Sequence, residues 1–419
     1  MCRQPASAPP ERGEHGRDDF PWRLGACDAH CHPTDTMSSV ASISGMRARA
    51  LAIMATRSQD QDLVASVAKQ HMTLDRAILG EASAAQHASG RVVPAFGWHP
   101  WFSYQLYDDM DHGGGASSGS TYDPAEPKAE QKAKHYSAVL SPAPDDGFMA
   151  ALPDPIPLSR FIADTRRRVL EAGTALIGEI GLDKAFRLPW PWNEAAQSGR
   201  DETLTPGGRE GRMLSPHHVK MAHQVQVLKA QLRLAGELGV AVSVHGVQAH
   251  GVLFDALASL WKGHEREVVS RRKQKLVAQG AEDFSSSSED EGEGEDDAPR
   301  IAGKRYKPKP FPPRVCLHSF SGSAQTLSQY LNPAIPVRVF FSFSTVINFS
   351  TAGGEGKVYE VMRTCPDDRL LVETDLHCAG EDMDRALEDV YRRACEIKGW
   401  SLEEGMERIR KNYEEFIFG

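Results

Sequence analysis

Two histidines stand two residues apart in the run "GACDAHCHPTD": His30 and His32. On an extended segment residues i and i+2 point to the same side, so both imidazoles can reach one cation. An HxH pair alone is more often a surface or core-satisfied pair than a ligand pair. Its weight comes from later apolar runs that end in the same residue types. His99 follows "VVPAFGW", Glu179 and Asp183 accompany "ALIGEIG", His245 closes "VAVSVH", His318 closes "RVCLH", and Glu373 and Asp375 close "RLLVETD". Four histidines (His30, His32, His245, His318) with two carboxylates (Glu179, Asp375) can hold two divalent ions a few ångström apart, a carboxylate between them. Nitrogen-rich ligation favours Zn or Mn over Mg, and all three fit such a donor set.

Convergence of this kind needs strands that end on one face. The runs at 24–27, 51–56, 92–98, 175–181, 240–246, 314–320, 338–344 and 369–375 are eight candidate strands. Their nearly continuous apolar character suits parallel strands buried on both sides. Amphipathic stretches at 158–172, 216–238, 323–331, 355–364, 381–398 and 401–411 predict helices. The clearest is 216–238: Ser215 can cap it, Pro216 fits its first turn, Gly239 follows, and Met221, Val225, Leu228, Leu232 and Ala235 mark one face.

Four stretches look unlike core: an N-terminal tail (1–22), a low-complexity insertion (108–157), a third segment (193–215) and a charged insertion (264–313) that runs through "SSSSEDEGEGEDD". Without them 274 residues remain, close to the roughly 250 of a (β/α)8 barrel. The pattern predicts an α/β protein with a single domain over 23–419 and its ligand residues at the C-terminal strand ends, the face where barrels build active sites. A doubly wound open sheet would give the same local pattern.

Composition bounds the partners. Of the net charge of -9, residues 281–300 alone carry -8, so the rest of the chain is nearly neutral and a polyanion must be held by local charge such as metal ions or a few Arg and Lys. The seven cysteines are scattered without a CxxC pair, which argues against a disulfide framework or zinc ribbon and for a reducing compartment. No N-terminal apolar region and no run of roughly 18 to 20 apolar residues is present, so a cytoplasmic or nuclear protein without a membrane partner is expected.

In their order, the segments "DAHCH", "FGWHP", "GEIGLD", "SVHG", "LHSFSG" and "VETD", with "KNYEEFIF" at the end, resemble the TatD-type metal-dependent deoxyribonucleases of the amidohydrolase superfamily. GEIGLD and HxFSG carry most of the likeness, which spans the chain apart from the four insertions. The resemblance implies a distorted TIM barrel, a one- or two-metal centre, and hydrolysis of phosphodiester bonds in DNA, as an exonuclease on ends or single strands. By position it implies that His30 and His32 hold a first metal, Glu179 bridges, and His245 and His318 hold a second. Asp375 would bind metal and orient or deprotonate the attacking water, a metal-activated water whose pKa is brought toward neutrality. Glu179 and Asp375 are thus the expected catalytic carboxylates, and His99 becomes a pocket residue contacting phosphate.

The chain also departs from that pattern. Where the family has a His, one residue and then Arg, this sequence reads "HGVQAHG", so Gly246 and Val247 replace a positively charged stretch. After Asp375 a small residue and Pro are usual, but Leu376 and His377 stand here. All six metal positions are kept, so these departures bear on substrate choice.

Around the six, Asp28 is expected to orient a ligand imidazole, and Asp183 to contact substrate in the pocket or to form a turn. Glu373 should hydrogen-bond within the pocket, His217, His218 and His223 should be surface or structural residues, and Cys27 and Cys31 buried thiols. The acidic run is either a solvated loop or, at its serines 285–288, a kinase site. Its basic flanks would pair with it or collect DNA at the barrel mouth, and "PKPFPP" is a spacer or a ligand for a polyproline-reading protein. Three functions follow: a deoxyribonuclease; a hydrolase of another ester or an amide, against which a carboxylate rather than a modified Lys at position 179 speaks; and a protein-interaction factor working through its charged and Pro-rich loops. Oligomeric state is not encoded in any of these features.

Overall fold

Eight runs rich in Val, Ile, Leu and Phe become parallel strands: β1 (Cys27–Cys31), β2 (Ala50–Met54), β3 (Val92–Phe96), β4 (Leu176–Asp183), β5 (Val242–Val247), β6 (Arg314–Leu317), β7 (Arg338–Phe343) and β8 (Leu370–Val372). The structure, a computed structural model, describes residues 20–76, 91–110, 128–192, 200–268, 300–301, 304–350 and 355–419. The strands neighbour one another in chain order, every pair parallel. The sheet curls until β1 and β8 meet just past their ends. There the Asp375 N–H donates to His30 O (3.0 Å) and the His32 N–H to Leu376 O (2.8 Å). This is the distorted (β/α)8 barrel, not the open sheet.

The distortion has an address. Pairing slips register between Asp28 and Cys31 of β1 and between Ile177 and Ile180 of β4. Such irregularities re-aim side chains, and the residues they contain include His30 and Glu179. Gly181 sits at φ +152°, and a Cβ there would lie 2.0 Å from His245 O, so only glycine lets β4 and β5 lie close enough to bring Glu179 to His245.

Side-chain alternation splits the core in two. Leu51, Ile53, Val339 and Phe341 face the surrounding helices, whereas Ala50, Ala52, Ala95, Cys316 and Leu371 face the barrel axis. Tyr413 and Phe416 of the last helix pack on these axial residues, and Phe416 O accepts from Arg314 Nε at the start of β6. The helices around the barrel include α1 (Gln61–Gln70), α2 (Leu158–Ala172), α3 (Met221–Leu238), α4 (His250–Trp261), α5 (Ala324–Tyr330), α6 (Glu355–Thr364), α7 (Glu381–Lys398) and α8 (Leu402–Phe418). Among the described residues, no helix is long and apolar enough to cross a membrane.

Several boundaries differ from the sequence reading. The first strand lies at 27–31 rather than 24–27, because Trp22–Leu24 form a 3-10 turn that Gly25 ends at φ +85°. Helix α3 starts at Met221, five residues late. His218–Val219 pair antiparallel with Leu140–Ser141, which occupies the backbone that an earlier start would need, and the Ser215 hydroxyl accepts from the His217 N–H instead of capping. Phe20, within the expected tail, is buried against Tyr391 (6.0 Å between ring centroids). Within "PKPFPP", Phe311 is buried and the Lys309 N–H donates to Gly236 O, which straps the segment to α3. The charged run with its serines, most of the tail and residues 111–127 and 193–199 lie outside the described residues.

Residues 128–157, read as insertion, form helices Lys128–Val139 and Asp146–Ala151, whose Tyr136, Val139, Phe148 and Met149 are buried with Tyr104, Leu188 and Val219. His135 fastens this lobe to the barrel by donating through Nε2 to Tyr104 O (2.7 Å). Burial pushes its imidazole down to about 4, against the pull of that carbonyl. The folded state holds a neutral ring where the unfolded chain takes a proton near pH 6.5. This contribution is therefore whole above pH 6.5 and is lost as the pH falls from there toward 4, by up to about 3 kcal/mol. Denaturant unfolding at neutral pH and at about pH 4.5 is expected to show the loss, and His135→Gln to shrink the difference by about 2 kcal/mol. Identical pH dependence in both proteins would acquit His135.

Candidate metal centre

The strand ends deliver all six predicted ligands to one recess at the C-terminal mouth. Their arrangement turns on Glu179, whose two oxygens look in opposite directions. Oε2 faces His32 Nε2 (3.3 Å) and His30 Nε2 (3.6 Å), while Oε1 faces His318 Nε2 (2.7 Å), His245 Nδ1 (2.8 Å) and His99 Nε2 (3.2 Å). Asp375 joins the first side, its Oδ1 3.3 Å from His32 Nε2 and 3.8 Å from His30 Nε2. Three groups of donors in this recess lie close enough to share an ion: His30, His32 and Asp375; His30, Glu179 and His318; and His99, Glu179 and His245.

Whether these histidines can bind a metal depends on what the other ring nitrogen does. His30 Nδ1 meets Ser243 Oγ (2.7 Å), His245 Nε2 donates to Asp183 Oδ2 (3.2 Å), and His318 Nδ1 faces Glu373 Oε1 (3.5 Å). For His30 and His245 an acceptor can hold the ring proton on the far side so that the lone pair points into the recess, whereas His318 Nδ1, like His32 Nδ1, is buried without a hydrogen-bond partner. The donor set therefore fits divalent ions. His99 is different. Its Nδ1 accepts from the Trp101 N–H (3.1 Å), so in a neutral ring the proton is on Nε2, the atom that faces Glu179. Burial pushes His99 down to about 4, so that neutral form is the one present. It is a hydrogen-bond donor into the site, not a ligand.

Charge in the recess is one-sided. Among the described residues neither Glu179 nor Asp375 is ion-paired with Lys or Arg; only histidines face them. Burial would raise the Glu179 carboxyl, yet His99, His318, His245 and His30 hold it well below the usual range. Asp375 is likewise raised by burial but held low by the His32 bond and by His30 and His318. In return, and against their burial, His318 is pushed up to about 10 by Glu179 and Glu373, and His32 is pushed well up by Asp375 and Glu179. A site that draws protons onto buried imidazoles is one that attracts cations.

The supporting residues sort differently from expectation. Asp28 does not touch an imidazole: its Oδ1 accepts from the His30 and Thr374 N–H groups (3.1 Å each) and its Oδ2 from Thr374 Oγ1 (2.5 Å). It fixes His30 through the backbone, and Ser243 orients the ring. Asp183 has both oxygens engaged, Oδ1 by the Ala185 and Phe186 N–H groups (2.7 and 2.9 Å), Oδ2 by Trp101 Nε1 (2.6 Å) and His245. It forms a turn and orients His245. Glu373 accepts from the Ser319 N–H and hydroxyl and from Ser342 Oγ. Ser243 and Trp101 were not singled out in the sequence. Ser243 had a readable signal, since it lies two residues before His245 on the same strand face.

At the departure after Asp375, His377 Nδ1 meets Asp35 Oδ2 (2.8 Å), Asp35 is held by Arg57 Nη1 (2.9 Å), and the His377 ring lies 5.4 Å from that of His32 at 26°.

Known proteins resemble this chain along most of its length. The family model described as "TatD related DNase" matches residues 27–418. The Cut9-interacting protein scn1 of Schizosaccharomyces pombe is 36% identical over 390 residues, covering 93% of this chain and 98% of that protein. The uncharacterized deoxyribonuclease YMR262W of Saccharomyces cerevisiae is 27% identical over 342 residues, covering 78% and 82%. Among solved structures, a TatD family hydrolase from Entamoeba histolytica superposes with a TM-score of 0.49 at 11% identity, covering 94% of this chain and 98% of that one.

Proposed function

The chain belongs to the TatD-related DNase family, hydrolases of ester bonds in DNA, and within it we propose a metal-dependent exodeoxyribonuclease that works on ends or single strands with two divalent ions, Zn, Mn or Mg. The observation that carries this reading is the split of Glu179, one oxygen toward His30 and His32 and the other toward His245 and His318. His30, His32 and Asp375 would hold one ion, His245 and His318 the other, with Glu179 between. Such ions would supply charge against the phosphate and acidity to a water.

The chain's own groups do the rest. Asp375, held deprotonated in the recess, orients the attacking water and takes its proton. His99 donates its Nε2–H toward a phosphate oxygen. Asp28, Asp183, Ser243 and Glu373 hold the ligands in place and do not meet substrate. Recessed donors also favour ends and single strands, because the ligands are no more than 8% exposed save Asp375 and a duplex interior cannot be threaded down to them.

The test is to purify the protein, measure its bound metal, and follow labelled single-stranded and duplex DNA with and without chelator. Chelator-sensitive shortening from an end is expected, faster on single strands. Absence of chelator-sensitive cleavage under Zn, Mn and Mg alike would overturn the proposal.

One further observation favours a second role beside catalysis: the S. pombe relative is named for its interaction with Cut9. A partner protein contacting the charged loops is compatible with an active barrel, and the two roles separate if His245→Ala with Asp375→Ala abolishes cleavage but keeps partner binding. The six described cysteines are all unpaired, which supports a reducing compartment, the cytoplasm or nucleus.

A further inference from the structure

The turn that leaves β4 carries two cations and an aromatic ring to the lip of the recess. Asp183 ends the strand beside His245, and its Oδ1 accepts from the Ala185 and Phe186 N–H groups (2.7 and 2.9 Å), which fixes the backbone of the turn next to that histidine. Gln224 of α3 clamps the same point, accepting from the Asp183 N–H (2.8 Å) and donating to its carbonyl (2.9 Å). Phe186 is partly exposed and stacks on Trp101, 4.6 Å between centroids and 10° between planes. The Trp101 ring in turn lies 6.2 Å from that of His245. Lys184 and Arg187, on either side of Phe186 in the chain, are exposed, and among the described residues neither has an ion-pair partner. The Lys184 N–H donates to Val247 O (3.1 Å), so this lysine stands beside the stretch of β5 where Gly246 and Val247 replace positive charge. The charge missing from β5 is present at the end of its neighbour.

We propose that residues 184–187 are the DNA-binding lip of the recess: Lys184 and Arg187 bind phosphates of a single strand on its way to the metal centre, and Phe186, backed by Trp101, is the platform on which one of its bases stacks. The inference rests on the phosphodiesterase reading of the metal centre. Cations on both sides of an aromatic ring suit a single strand, whose unpaired bases can lie on the ring while its phosphates meet the cations. An acidic protein segment would use the cations and gain nothing from the ring. The turn is held at Asp183 and again at Leu188, whose N–H donates to His217 O (2.8 Å), so the platform is preorganised and little ordering is lost on binding. Contacts of this kind position the strand and read no sequence.

The experiment measures binding and cleavage separately on the metal-loaded protein. Binding of a labelled single-stranded phosphorothioate oligonucleotide, which keeps the backbone charge and resists cleavage, is followed by fluorescence anisotropy over a series of salt concentrations. Cleavage is followed on an ordinary oligonucleotide and on bis(4-nitrophenyl) phosphate, a diester without bases. Lys184→Ala and Arg187→Ala are each expected to weaken binding about five-fold and to flatten the slope of log affinity against log salt by about 0.7, the share of one phosphate contact on a single strand. Phe186→Leu should weaken binding about ten-fold with the slope kept, since stacking releases no counterions. In all three variants the oligonucleotide KM should rise in step, lowering efficiency on it relative to the small diester. Melting curves check that each variant is folded. Wild-type affinity and slope in the two cation variants overturn the lip, and so does wild-type binding by Phe186→Leu, which would leave only an anion patch. A wild-type protein that binds the oligonucleotide through these three residues yet cleaves neither substrate keeps the lip and overturns the phosphodiesterase reading.

Discussion

Asp375→Asn is expected to lower turnover of single-stranded DNA by about three orders of magnitude while leaving the barrel folded. Of the six candidate ligands its side chain is the most exposed, 16% against 11% or less for the others it shares the recess with, so it is the carboxylate that meets whatever enters. Its backbone sits in the left-handed region at φ +56°, which Asp and Asn tolerate better than most residues. Asn therefore keeps the turn and the main-chain bond to His30 O, whereas Ala would add strain at the seam between β1 and β8 and blur the result. What Asn cannot do is accept a proton at neutral pH. A variant with normal melting and normal DNA binding but more than about a tenth of wild-type turnover would show that Asp375 is not the general base.

The six candidate ligands are legible in the sequence because each combines two independent signals, a metal-binding residue type and the end of a buried strand. The barrel is legible for a similar reason, since near-continuous apolar runs separated by amphipathic stretches leave few arrangements, and the resemblance in GEIGLD and HxFSG selects among them. What stays hidden depends on pairing between distant segments. Nothing local in "SPHHVK" announces that His218–Val219 will pair with Leu140–Ser141, so a good helical pattern is extended five residues too far. Residues 128–157 read as unlike core because prolines and charges surround Tyr136, Phe148 and Met149, yet these side chains find apolar partners on Tyr104 and Leu188.

The roles of supporting acids are hidden in the same way. Asp28, Asp183 and Glu373 look alike as carboxylates at strand ends. They differ in which donors fold places around them: two main-chain N–H groups and a threonine hydroxyl for Asp28, a turn, an indole and an imidazole for Asp183, two serines for Glu373. Each has its oxygens spent on protein groups, and none is left to compete with Glu179 for an ion. His99 shows the converse, a residue near enough to be a ligand whose tautomer makes it a donor.

Metal content offers the sharpest separation among these residues. The protein as purified in excess Mn or Zn is expected to carry two ions per chain, counted by elemental analysis after removal of free metal. His32→Ala, which removes a donor only from the side of Glu179 Oε2, should leave one, as should His245→Ala on the side of Oε1. Glu179→Gln should lose both, because the amide presents a single neutral acceptor where two anionic oxygens stood and its NH2 would point at one set of imidazoles. Stability should follow occupancy: ions bound at about a hundred times their dissociation constant add about 2.7 kcal/mol per site, so the melting temperature of the wild-type protein rises with added metal, by less in the single-site variants and little in Glu179→Gln. If Glu179→Gln instead retains one ion, Glu179 serves one site only, and its two oxygens facing opposite histidine sets reflect packing rather than a bridge.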